Sequence, residues 1–266
     1  MNTKLLYLCL AIVALMFSCG KKNTFTIEGT LQGGAGKYVV IEEIAPKEMI
    51  PIDSVLLDKD GHFSFTYEMP YQSFYNVKVS SQDFVMLLPN YGETITLTGD
   101  YNHLSPTYQV KGSEGSILLW QLNDYTKFGE QRLDSIARAF DQLVADCKGD
   151  TNCIKKQKPA LDSVYLDAFA EQQEYVINFI QRNKGSLATL IALYKTFNTR
   201  PLIDPKTDDF EFYEMVASGL EETMPQNKHV IEFRNTVEHL RVQYGKQQQA
   251  QPQAIVTLGD NAENQN

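Results

Sequence analysis

The sequence is poor in the residues from which metal sites and nucleic-acid surfaces are built. It contains four histidines, which are scattered along the chain at His62, His103, His229 and His239. A structural metal site needs about four ligands, so this scatter argues against a metal, and we expect no cofactor. The formal net charge is −9 and no basic stripe is present, which excludes the usual nucleic-acid binder.

The chain also lacks an apolar run long enough to span a membrane as a helix. Its longest apolar run extends from Leu5 to Phe17, which is short of the ~20 residues that a spanning helix needs. A single cation, Lys4, precedes the run, and Ser18-Cys19 follows it. A cationic start, an apolar core and small residues at the end predict a cleaved secretory signal.

The residues around the predicted cleavage point resemble a bacterial lipobox. They read Met16-Phe17-Ser18-Cys19, with Met at a position where Leu is more usual. The resemblance implies a signal peptide over 1–18, a lipid on Cys19 and a tether over 19–24. Because the residue after Cys19 is Gly20 and not Asp, the implied location is the periplasmic face of the outer membrane. The membrane is then the first expected partner, through the lipid anchor.

Cysteine is scarce, and its spacing is informative. Of four cysteines, Cys9 leaves with the signal and Cys19 carries the lipid, so Cys147 and Cys153 remain. An exported chain meets an oxidising compartment, where two such cysteines are expected to form a disulfide. Redox-active pairs usually have two residues between the sulfurs. The longer spacing here favours a structural staple, and a catalytic dithiol stays open as the alternative.

Residues 25–112 have the periodicity of strands. Apolar residues alternate from Phe25 onward, with glycine-rich turns between the runs and no helix-like stretch. The segment Asp58-Lys59-Asp60-Gly61 is interpreted as a hairpin turn, because the later ligands of a calcium loop are missing. About eight strands are predicted, which indicates an antiparallel β-sandwich. They lie at 25–29, 37–43, 53–57, around 63–65, and at 74–79, 84–88, 93–98 and 108–111.

Residues 113–245 have the 3.6-residue period of helices. Two long helices are predicted, one ending at Cys147 and one with Pro159 in its first turn, joined as an antiparallel hairpin. Three shorter helices follow, the first capped by Ser186 and extending to about residue 197, the others over 210–220 and 230–244. The expected fold is therefore α+β: an N-terminal antiparallel β-sandwich followed by an all-helical domain with a long helix hairpin.

Several segments resemble a known arrangement of domains. They are 52–65, Leu88-Pro89 with 92–95, 110–113, and the helical stretch 179–186. Together they resemble the N-terminal domain of unknown function and the helical region of periplasmic thiol–disulfide interchange lipoproteins, over about Cys19 to Tyr244. In that family a thioredoxin-like domain follows. The resemblance implies a periplasmic, thioredoxin-like protein as a possible partner.

The C-terminal tail does not continue this resemblance. Residues 246–266 are polar and rich in glutamine, which predicts disorder. No Cys-x-x-Cys occurs anywhere, so the family's catalytic pair corresponds to no residue of this chain. Because the thiolate is the nucleophile in that chemistry, no catalytic residue is assigned.

Three functions remain as hypotheses. The first is a binding or scaffolding lipoprotein built from the accessory region of a redox lipoprotein, and not an enzyme. The second is a thiol–disulfide oxidoreductase that is truncated or depends on a partner. The third is a glycan- or peptide-binding lipoprotein, suggested by aromatic residues of the strand region: Tyr67, Tyr71, Phe74, Tyr75, Tyr91, Tyr101 and Tyr108.

Overall fold

A computed structural model describes residues 23–250, in which two four-stranded sheets precede a group of helices. The first sheet has the order β4-β1-β7-β8 and the second has the order β3-β2-β5-β6. The strands are β1 (Thr24–Gln32), β2 (Tyr38–Ile44), β3 (Met49–Leu56), β4 (His62–Glu68), β5 (Phe74–Lys78), β6 (Phe84–Leu87), β7 (Thr94–Asp100) and β8 (Gln109–Lys111). The predicted α+β fold and its strands are confirmed.

One strand pairing differs from a wholly antiparallel sandwich. Strand β1 is antiparallel to β4 but parallel to β7, with Ile27 opposite Ile95. A Cβ on Gly29 would meet the Leu97 carbonyl oxygen at 1.8 Å, so only glycine allows the two backbones to approach here. Alternation along each strand is the same in parallel and antiparallel pairs, which is why the sequence pattern does not reveal this pairing.

The hairpin turn between β3 and β4 forms as expected. Gly61 has φ of 79°, and the Asp58 carboxylate accepts hydrogen bonds from the backbone N–H groups of Asp60 and His62. The bond from His62, followed by that from Asp60, lowers the pKa of Asp58. The carboxylate therefore satisfies backbone donors of its own turn, the ordinary role of Asp in such turns.

The helical region is built on two long helices. Helix α2 (Glu114–Asp146) is capped by Ser113, whose hydroxyl accepts the backbone N–H of Ser116. Helix α3 (Thr151–Asn183) returns antiparallel to α2. This confirms the predicted hairpin. The other helices are α1 (Leu104–Thr107), α4 (Ala188–Leu193), α5 (Phe210–Thr223) and α6 (Lys228–Ala250).

Two predictions about helix ends were wrong, and one helix was missed. Helix α3 begins at Thr151, because Asp150 caps it by accepting the backbone N–H of Asn152, so Pro159 lies about two turns inside it. Helix α4 ends at Leu193 and not near 197, because the next residues form a small hairpin of β9 (Thr196–Phe197) and β10 (Arg200–Pro201). The single-turn helix α1 was not predicted.

The predicted disordered tail is also partly corrected. Helix α6 continues to Ala250, so 246–250 are helical, consistent with the good helix propensity of Lys, Gln and Ala. Residues 251–266, like the predicted signal peptide and Cys19, lie outside the part of the chain that the structure describes.

The second sheet is shared by two hydrophobic cores. Its inner residues Tyr75, Val77 and Leu87 pack in the sandwich core, whereas Phe74 and Leu88 belong to the helical core. Each fully buried large apolar side chain contributes about 1.5–3 kcal/mol. Because both cores bury this sheet, the sandwich and the helices are layers of one packed structure.

Candidate functional site

The two helices of the hairpin are the longest elements among residues 23–250. Each of its helices has 33 residues, which corresponds to a length of about 50 Å. Near the base, Tyr125 of α2 and Tyr175 of α3 stack with ring centroids 3.5 Å apart. Farther out, Arg132 and Glu171 form an ion pair across the two helices. The hairpin is therefore held by contacts along its length as well as at its tip.

The structure joins Cys147 and Cys153 at the tip. Their Cα atoms are 5.7 Å apart, across a turn in which Lys148 and Gly149 have φ of 48° and 78°. Cys147 is buried, and the Gln157 amide nitrogen lies 3.6 and 3.4 Å from the two sulfurs. This disulfide closes the turn between two helices and has one sulfur buried, which is the position of a structural cross-link.

An apolar groove lies on the hairpin between its base and its tip. Its volume is about 540 Å³. The apolar lining comes from both helices: Leu133, Ile136, Ala137 and Phe140 of α2, and Leu161 and Tyr165 of α3. Phe140 keeps 38% of its surface exposed, which is high for a phenylalanine in a folded protein. Leu133, Ile136 and Tyr165 are half-buried against the helical core, so Phe140 supplies the most exposed large apolar side chain of the groove.

The rim of this groove is acidic. Glu130, Asp134 and Asp162 line it, and no lysine or arginine does so. Asp162 is paired with Lys158, whose ammonium nitrogen lies 2.5 Å from Oδ1. Asp134 forms no ion pair within residues 23–250, whereas Glu130 faces Lys195: burial lowers the pKa of Lys195, and the charge of Glu130 opposes that shift. An apolar floor with carboxylates at the edge suits a ligand that carries both apolar and cationic side chains.

A second candidate surface lies at the other end of the hairpin, where the helices meet the sandwich. A polar cleft of about 470 Å³ is lined by Asn90, Glu93, Arg182 and Lys184, among others. A neighbouring cavity of about 370 Å³ contains Tyr71 and Tyr91 together with the α5–α6 loop. We use the name base cleft for these two adjoining spaces.

Tyr71 is in an unusual environment in the base cleft. Burial, followed by the charge of Glu43 and a hydrogen bond to it, raises the pKa of Tyr71 to about 12. The Lys228 ammonium lies 5.0 Å from the centre of its ring, within the range of a cation–π contact. Burial and the same carboxylate raise the pKa of Tyr75. Both tyrosines are therefore neutral at ordinary pH, and the buried Tyr75 hydroxyl has no hydrogen-bond partner among the described residues.

Sequence reasoning missed the buried histidine beside this cleft. His229 Nε2 is 2.9 Å from the Ser73 hydroxyl oxygen, and burial lowers the pKa of His229 to about 4. The neighbouring Asn227 side chain donates to the Gln72 carbonyl oxygen at 2.8 Å. Both contacts tie the start of α6 to the sandwich. Nothing in the local sequence distinguishes His229 from the exposed His239, because only the fold decides which one is buried.

The aromatic residues of the third hypothesis do not form one exposed platform. Phe74, Tyr75 and Tyr108 are buried, and the other four are partly buried. Two of these four use their hydroxyls within the protein, since Tyr91 donates to the Pro70 carbonyl oxygen and Tyr101 donates to that of Tyr38. Most of this aromatic surface therefore contributes to packing.

Among residues 23–250 no three His, Cys, Asp or Glu side chains come together as metal ligands would. No helix within these residues combines the length and the apolar character needed to cross a bilayer. Cys19, the predicted lipid site, lies outside them.

Comparison with known proteins gives one assignment. Residues 25–117 match the model of a family described as a domain of unknown function, DUF4369. This segment contains both sheets and the first residues of α2. No curated protein and no solved structure matches the chain. The expected N-terminal domain of unknown function is therefore confirmed, and the match ends before most of the helix hairpin begins.

Proposed function

We propose that this chain is a binding or scaffolding lipoprotein, held by a lipid on Cys19 at the periplasmic face of the outer membrane. The observation that carries the proposal is the apolar groove of the hairpin with its acidic rim. It is a surface for a partner, and it is kept in place by a hairpin that is stapled at its tip. The proposed partner is a protein that presents apolar residues flanked by lysine or arginine.

The resemblance to thiol–disulfide interchange lipoproteins supports a partner with a thioredoxin-like domain. In those proteins the same regions accompany such a domain, whereas this chain has no Cys-x-x-Cys. A separate thioredoxin-like protein that carries a basic, partly apolar surface would then occupy the hairpin groove. The position of the disulfide at the tip supports a stapling role for it over a catalytic one.

In-cell cross-linking tests the proposal. A photoreactive phenylalanine analogue is placed at Phe140, which lines the groove, or at Phe128, which is 65% exposed on the same helix and does not line it. We expect an adduct with an envelope protein of thioredoxin fold from position 140 and none from 128. Equal adducts from both positions, or adducts only with proteins of other folds, would contradict the proposal.

Charge variants sharpen this test. Glu130→Gln with Asp134→Asn removes two carboxylates from the rim, and we expect the adduct from position 140 to decrease several-fold. Asp124→Asn with Asp141→Asn makes the same change in net charge at exposed positions of α2 outside the groove, and serves as the control. An equal decrease in both double variants would mean that charge acts at long range and that the groove does not select the partner.

A further inference from the structure

The position at which the chain enters the fold fixes one end of the molecule near Cys19. The Asn23 carbonyl oxygen accepts the backbone N–H of Met69 at 2.7 Å, and the Thr24 carbonyl oxygen accepts that of Gly92 at 2.8 Å. From Cys19 to Asn23 the chain covers at most about 14 Å, even when fully extended. A lipid on Cys19 would therefore hold this end of the sandwich against the bilayer surface.

Three loops meet at this end, and we call it the entry end. They are 69–73, 89–93 and 224–228, which together surround the cavity that contains Tyr71 and Tyr91. The Tyr91 hydroxyl and the Asn227 side chain connect the loops by hydrogen bonds. Because the loops are connected, the entry end is one continuous surface.

The chemistry of the entry end fits a lipid headgroup layer. Tyr71 and Tyr91 are partly buried, and tyrosine is enriched where proteins meet the membrane–water boundary. Arg182 and Lys184 line the adjoining cleft beside Glu93 and Glu114, and neither cation forms an ion pair within the described part of the chain. Arg182 and Lys184 are placed to meet phosphate groups of lipids.

The hairpin extends away from the entry end. Helix α2 begins beside Leu88, whose carbonyl oxygen accepts the Ser113 hydroxyl at 3.1 Å. It then passes along the sandwich, since Trp120 donates to the Tyr108 carbonyl oxygen at 3.1 Å and the Lys127 ammonium reaches that of Ser105 at 3.4 Å. The remainder of α2 continues beyond the sandwich for nearly 30 Å, at about 1.5 Å per residue.

We infer that the entry end is a membrane-contacting surface, which lies on lipid headgroups while the disulfide-stapled tip points away from the bilayer. This inference rests on the proposed lipid anchor at Cys19. It assigns opposite roles to the two candidate surfaces: the base cleft faces lipid, and the hairpin groove is presented to a protein partner in the periplasm. The opposite end of the sandwich cannot face the bilayer, because β1 alone is about 30 Å long and the chain from Cys19 to Asn23 covers at most about 14 Å.

Fluorescence quenching in vesicles tests the inference. The full lipidated protein is reconstituted into vesicles of phosphatidylethanolamine and phosphatidylglycerol, with a nitroxide quencher on the lipid headgroup. A fluorophore is attached to Gln226→Cys at the entry end, to Lys59→Cys in the opposite turn of the sandwich, or to Asp141→Cys on the hairpin; all three positions are exposed. We expect several-fold stronger quenching at 226 than at the other two.

Vesicle flotation tests the lipid anchor at Cys19 separately from the membrane-contacting surface. If the protein floats with vesicles but the three fluorophores are quenched equally, or position 59 is quenched most, the membrane-contacting surface is wrong and the anchor stands. If the wild-type protein does not float, the anchor itself fails and this inference fails with it. A Cys19→Ala chain produced without residues 1–18 gives the flotation baseline.

Discussion

At its base the helix hairpin is buried between the second sheet and the shorter helices, whereas its outer part is mostly exposed, with Leu133, Ile136 and Tyr165 half-buried against the helical core. Leu119 and Leu122 of α2 and Phe169 and Val176 of α3 lie in the helical core. Between residues 130 and 167, a stretch that the structure describes completely, only Leu143 and Cys147 are buried. The base is therefore held by hydrophobic burial, whereas the two helices are joined at the tip by a covalent bond.

The two ends of the hairpin show how a pair of helices can be both exposed and ordered. An apolar groove needs exposed apolar surface, and a helix pair that exposes such surface gives up the burial that would stabilise it. A disulfide restricts the unfolded chain without covering any surface. The staple therefore allows the groove to stay open.

The largest expected effect is at the base. Leu122→Ala removes a fully buried side chain from the helical core, and we expect a loss of about 2–5 kcal/mol in the free energy of unfolding. Leu166→Ala is the matched control, because Leu166 is 53% exposed, and it should cost less than about 0.5 kcal/mol. Chemical denaturation measures both. Similar losses of unfolding free energy in the two variants would contradict the difference in burial between the base and the outer part of the hairpin.

The contact of helix α6 with the sandwich, beside the base of the hairpin, should respond to pH through His229. Its pKa is about 4 in the folded protein and about 6.5 when unfolded, so neutral His229 stabilises the fold fully above pH 6.5. As the pH falls from about 6.5 towards 4, the unfolded state binds the proton first and up to about 3 kcal/mol is lost. Denaturation at a series of pH values should show this slope.

A second histidine provides the control for the pH effect. His229→Gln should flatten the slope of stability between pH 4 and 6.5, whatever its effect on stability at neutral pH. His239→Gln, at an exposed position on the same helix, should leave the slope unchanged. An unaltered slope in His229→Gln would show that another group, and not this buried imidazole, causes the change of stability with pH.

The smallest effect is expected at the tip. Replacing both Cys147 and Cys153 by Ser removes a short loop closure, with an expected loss of about 2 kcal/mol. Amide hydrogen exchange should become faster over 140–158 and stay slow over 114–129, because the base is held by burial. If exchange accelerated equally in both segments, the hairpin would be one cooperative unit and the contrast between its ends would be wrong.

Much of the fold followed from local pattern. Alternating residues such as Phe63 and Phe65 predicted the strands, and the 3.6-residue period predicted the long hairpin.

Errors came where two local signals competed. Pro159 resembled the start of a helix, but the Asp150 cap placed the start earlier, and a proline two turns inside was tolerated. The hairpin around Asn198, which has φ of 57°, interrupted a stretch whose composition suited a helix.

The candidate surfaces were harder to predict than the elements that form them. The Cys147–Cys153 pair was predicted because both cysteines are close in sequence. The hairpin groove was not, because Phe140 and Tyr165 belong to different helices and their separation depends on how the hairpin packs. The entry end brings together three loops from distant parts of the chain, and no local signal connects them.

The sequence by itself determined the eight main strands, the two long helices and the disulfide, and it predicts the anchor point, because each depends on residues near one another in the chain. The tertiary structure decided the parallel pairing of β1 with β7, the burial of His229 and the direction in which the hairpin leaves the sandwich. These depend on contacts between residues far apart in the chain, whose free energy is gained only when the sheets and helices pack together.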